Sequence, residues 1–77
     1  MNHPVSLIIS ETEIGAYRAH RIFQMCRHFA QKIDPRCYIM ADYVNHERVG
    51  WTFEMHSEVR ELQLRLYHQT IMSKPLF

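Results

Sequence analysis

The stretch RVGWTFEMH, residues 48–56, decides the fold: Val49, Trp51, Phe53 and Met55 alternate with Gly50, Thr52, Glu54 and His56. Side chains on a strand point to opposite faces in turn, so this pattern predicts a strand buried on one side only. The preceding CYIMADYV, residues 37–44, has the β-branched and aromatic content of a partner strand, and the polar residues Asn45, His46 and Glu47 form the turn between them. With Val44 paired to Val49, Met40 falls opposite Phe53 and Tyr38 opposite Met55. The turn lacks an Asn-Gly or Asp-Gly pair, which leaves room for a longer or bulged connection and makes register the weak point.

Working outward, VSLIIS, residues 5–10, follows Pro4 and reads as a further strand. Ser10 and Glu13 form the S-x-x-E pattern in which each residue satisfies an amide at a helix start. A helix is predicted from residue 11 to about 33, with Ala19, Ile22, Cys26, Phe29, Ala30 and Ile33 on one face and Arg21, Gln24, His28, Gln31 and Lys32 opposite. It stops at Asp34, because the residue before Pro35 is pushed out of helical geometry. Ser57 caps a second helix, EVRELQLRLYHQTIM, with Glu58 and Glu61 in its first turns. The tail beyond Ser73 is expected to fray.

The order β-α-β-β-α predicts a small two-layer α+β domain. A right-handed crossover places the third strand between the other two and both helices on one face of a three-stranded sheet. Residues 1–77 form a single domain, near the smallest size that a hydrophobic core alone sustains. Hydrophobic residues make up 47% and charged ones 22%, a composition of ordered globular chains. Cys26 and Cys37 carry no disulfide framework, no signal-peptide pattern opens the chain, and no apolar run approaches the ~20 residues of a membrane span. The chain reads as soluble and cytoplasmic, with no membrane association.

Charge is segregated although the formal net charge is only +1. From Arg18 to Arg36, five basic residues (Arg18, Arg21, Arg27, Lys32, Arg36) meet one acid, Asp34; from Asp42 to Glu61, five acids (Asp42, Glu47, Glu54, Glu58, Glu61) meet Arg48 and Arg60. Arg18, Arg21, His28 and Lys32 lie within about 40° of one line along the first helix. With Tyr17 on the same side, they are the candidate macromolecule-binding residues, facing either an acidic protein surface or phosphates. No helix-turn-helix, zinc-finger or RNA-binding signature accompanies them.

The second helix carries two apolar stripes: Val59, Leu62 and Leu66, and roughly 145° around, Leu64, Tyr67 and Ile71. One helix covering one sheet needs a single stripe. Leu64, Tyr67 and Ile71 are the candidate homodimer interface, unless the first helix or the C-terminal segment covers them.

No motif for catalysis, metal or cofactor binding stands out. Cys26 and His28 diverge on a helix, and Cys37 has no close second ligand. The carboxylates are scattered; Asp42 falls on the apolar strand face only in the register above, and a shifted register removes the anomaly. The expectation is a non-enzymatic accessory or regulatory protein, without cofactor, docking as a homodimer on a protein with an acidic surface. It is of the kind that phages and mobile elements encode as modulators of host enzymes. A nucleic-acid-binding module using the basic helix face is the alternative.

Overall fold

A computed structural model describes residues 5–73, and the elements follow the expected order. They are β1 (Val5–Ser10), α1 (Glu11–Ile14), α2 (Ala16–Ile33), β2 (Tyr38–Val44), β3 (Glu47–Met55) and α3 (Glu58–Met72). The sheet order is β1-β3-β2, with β3 antiparallel to both neighbours. This is the two-layer α+β arrangement read from the sequence. The fraying expected of the C-terminal tail concerns residues 74–77, outside the described residues.

The alternation in β3 places Trp51, Phe53 and Met55 on the core side, in register with Ile9 and Leu7 of β1 and with Ala41 and Ile39 of β2. Against this row α2 buries Ala19, Ile22, Phe23, Cys26 and Ala30, and α3 buries Leu64 and Ile71. The rings of Phe23 and Trp51 stack with centroids 4.3 Å apart, and Phe53 meets Phe23 at 5.8 Å. A second stack, Phe29 on Tyr67 at 4.4 Å, joins α2 to α3.

Three local expectations are corrected. The helix predicted as continuous from residue 11 is broken at Gly15, whose φ of 88° lies in a region that glycine occupies without a Cβ penalty. Ser10 precedes α1, but its hydroxyl meets the Thr12 hydroxyl at 2.8 Å and makes no capping bond to the helix. By contrast, Ser57 Oγ accepts from the Arg60 amide at 3.3 Å, as its position predicts.

The third correction is the hairpin register, which is one residue from the expected one. Tyr38 pairs with Glu54, Met40 with Thr52 and Asp42 with Gly50, and an irregularity between Asp42 and Tyr43 resets the pairing to Tyr43 with Arg48. A one-residue slip exchanges the faces of a strand. Ile39 therefore packs against the core, Ala41 shares its face but stays exposed, and Asp42 lies on the outer face, where the Thr52 hydroxyl donates to its carboxylate at 2.6 Å. The turn itself is a two-residue loop with Asn45 at φ 52° and His46 at φ 68°, the left-handed pair that matches the twist of a tight hairpin.

Two substitutions test this backbone, read by urea unfolding followed through the single tryptophan, Trp51. A Cβ at Gly50 would run into the Ile9 carbonyl of the paired strand, so Gly50→Ala should cost about 3 kcal/mol. His46→Gly should stabilise by about 0.5–1 kcal/mol, since glycine relieves the positive φ. A neutral Gly50→Ala or a destabilising His46→Gly would contradict the β1–β3 register or the turn, respectively.

Candidate functional site

The outward face of the helical layer is built by two helices whose rotation is fixed from below. In α2, eighteen residues contain no aspartate or glutamate. With Ile22, Phe23 and Cys26 locked in the core, Tyr17, Arg21, Gln24, His28 and Lys32 are left exposed. The described ion pairs are Arg48 with Glu11, Arg60 with Asp34 and Arg65 with Glu61; Arg21 and Lys32 take part in none of them. Arg27, on the flank, lies 5.7 Å from the Phe23 ring centre.

Arg18 departs from the expected stripe. It turns toward α3, where its Nη2 donates to the Met72 carbonyl at 3.0 Å, a favourable placement of a cation at a helix C-terminus. Its Nε is buried without a hydrogen-bond partner among the described residues. Arg18 therefore acts as a strut between helices. Tyr17 stays outward at 72% exposure, so Tyr17, Arg21, His28 and Lys32 remain together and Arg18 leaves them.

The expected homodimer residues are also corrected. Leu64 is 0% exposed and Ile71 8%, both inside the core, and Tyr67 is half-buried under Phe29. The stripe left outside is the other one: Val59 at 69%, Leu62 at 53% and Leu66 at 53%. Two stripes of similar hydrophobicity face about 145° apart, and packing on the sheet together with the contacts with α2 chooses between them. Those contacts are the Phe29–Tyr67 stack, the Arg18 bond at one end, and at the other the Arg60 ion pair with Asp34 at 3.4 Å. Asp34 also accepts from the Arg36 amide at 3.0 Å, which folds the turn that ends α2.

The opposite side of the molecule is the outer face of the sheet. Glu54, Asp42 and Thr52 lie there with Ile8, Met40 and the 60%-exposed Tyr38. Asp42 and Glu54 thus stand a full layer away from the cations of α2. Tyr43 is paired with Arg48 and exposed.

Both cysteines are free thiols. Burial pushes Cys26 up to about 12, and burial with the nearby Asp34 charge pushes Cys37 up to about 11, so neither is a thiolate nucleophile at neutral pH. No three histidine, cysteine, aspartate or glutamate side chains among the described residues stand close enough to share a metal ion. No helix among them is long and apolar enough to cross a membrane. No family model, curated protein or solved structure matches the chain.

Two outcomes check this geometry. Leu64→Asp places a charge in the core and should cost about 4 kcal/mol or more, leaving little folded protein by circular dichroism, whereas Leu62→Asp should change stability by no more than about 0.5 kcal/mol. Equal effects would contradict the rotation of α3. The second concerns His68, whose pKa is lowered from 6.5 by burial and then by Arg65. The folded state resists this protonation, so stability is full above pH 6.5 and falls as pH drops through that value. The urea midpoint of His68→Gln should therefore fall less between neutral and mildly acidic pH than that of the wild type; equal falls would contradict the burial of His68.

Proposed function

We propose that this chain is a non-enzymatic binding protein that docks on an acidic surface of another protein through the outward face of α2. One observation carries the reading: a five-turn helix without a single acid presents Arg21, His28, Lys32 and Tyr17 to solvent, while Asp42 and Glu54 lie on the far side of the sheet. A uniform cationic face with no internal counter-charge raises the local concentration of an acidic partner and speeds encounter. Tyrosine and arginine are residue types enriched at binding hot spots. We place the protein in the cytoplasm, where Cys26 and Cys37 would stay reduced.

A second reading is favoured by the same separation of charge. With the acids of the outer sheet face a layer away, a phosphate backbone along α2 meets no acid on that helix itself, so a nucleic acid is the rival partner. Neither reading depends on Arg18, which is occupied at the α3 terminus.

Fluorescence anisotropy of a labelled oligoglutamate peptide and of single-stranded and duplex oligonucleotides, at low and near-physiological salt, separates the two. The expected result is peptide binding that weakens with salt and drops about tenfold in Arg21→Ala/Lys32→Ala. Tighter oligonucleotide binding that persists at physiological salt would transfer the assignment to nucleic acid. No binding of either at low salt would overturn the role of α2.

A further inference from the structure

Resting on the acidic-partner reading, we infer that the partner element is an amphipathic helix with an acidic flank, seated on α3 with its acids toward α2. The apolar stripe Val59, Leu62 and Leu66 and the cations Arg21 and Lys32, with His28 between them, both point away from the sheet, because each helix buries its opposite side in the same core. Packed helix axes stand about 8–10 Å apart, so the two stripes form one surface, apolar along α3 and cationic along α2. A helix laid on such a surface buries residues spaced i, i+3 and i+7, the spacing that Val59, Leu62 and Leu66 themselves present. Its acidic flank then reaches the α2 cations across Gln63 and Thr70, both exposed and uncharged.

Charge complementarity selects this occupant over the others. A second copy pairing its α3 stripe antiparallel to the first would lay α2 over α2, cation against cation. A parallel pairing would align two helix dipoles in the same sense. An anionic lipid surface would meet the cations of α2 but also press on Glu58, beside Val59. A nucleic acid has no use for three exposed aliphatic side chains along its edge. Only a helix that is apolar on one stripe and acidic on one flank satisfies both halves of the surface.

The probe is a labelled helical peptide with leucines at i, i+3 and i+7 and glutamates along one flank, compared with a scramble of the same composition. The peptide should bind about tenfold tighter than the scramble, a difference that Leu62→Asp abolishes and that Arg21→Glu/Lys32→Glu weakens together with scramble binding. Equal binding of peptide and scramble that still responds to Arg21→Glu/Lys32→Glu would overturn the helix inference and leave the α2 reading standing. No binding of either would overturn both. Sedimentation with phosphatidylserine vesicles lost in Leu62→Asp would reassign the stripe to a membrane, and a native mass that rises with concentration in wild type but not in Leu62→Asp would reassign it to a second copy.

Discussion

The stack of Phe23 on Trp51 is the contact on which the rest of the molecule depends. Trp51 sits on the strand bonded on both sides, in a row with Phe53 and Met55, so a ring lying flat on it fixes where α2 runs and how it is turned. Offset-stacked aromatic pairs contribute about 0.5–1.5 kcal/mol beyond the area they bury, and they set orientation as well. The 4.8 Å approach of the Arg48 guanidinium to the same tryptophan, and its ion pair with Glu11, tie the start of the helical layer to the hairpin. Once Phe23, Ile22 and Cys26 face the sheet, helix periodicity sends Arg21, His28 and Lys32 outward.

The second helix inherits its orientation from the first. Phe29 stacks on Tyr67, Arg18 caps the last turn, and Asp34 holds Arg60 in the first. Three contacts spread along fifteen residues leave one rotation open, with Leu64 and Ile71 inward and Val59, Leu62 and Leu66 outward. A domain of this size has little hydrophobic surface to spare, and leaving three aliphatic side chains in water sacrifices burial that a polar stripe would not.

Strand alternation in residues 49–55 was enough to show a strand covered on one face, because a period of two is a local property, and the element order with the right-handed crossover rule put that strand at the centre. The misread features have causes that no local pattern carries. Gly15 interrupts a helical periodicity that resumes at once on its far side. The irregularity after Asp42 shifts the register by one residue, and with it the face on which Asp42, Met40 and Tyr38 lie. The two stripes of α3 are equivalent in the sequence, and a stack with a residue 38 positions away separates them. Arg18 lies on the cationic line by angle, yet its long side chain reaches the neighbouring helix terminus.

In the proposed complex the outward face of the helical layer, and not the outer face of the sheet, receives the partner. Amide chemical-shift mapping of the labelled protein with the acidic amphipathic peptide tests it most directly. Shifts are expected to be confined to Tyr17, Arg21, Gln24 and His28 on α2 and to Val59, Leu62 and Leu66 on α3. Shifts concentrated instead at Ile8, Tyr38, Met40 and Thr52 on the sheet would contradict it.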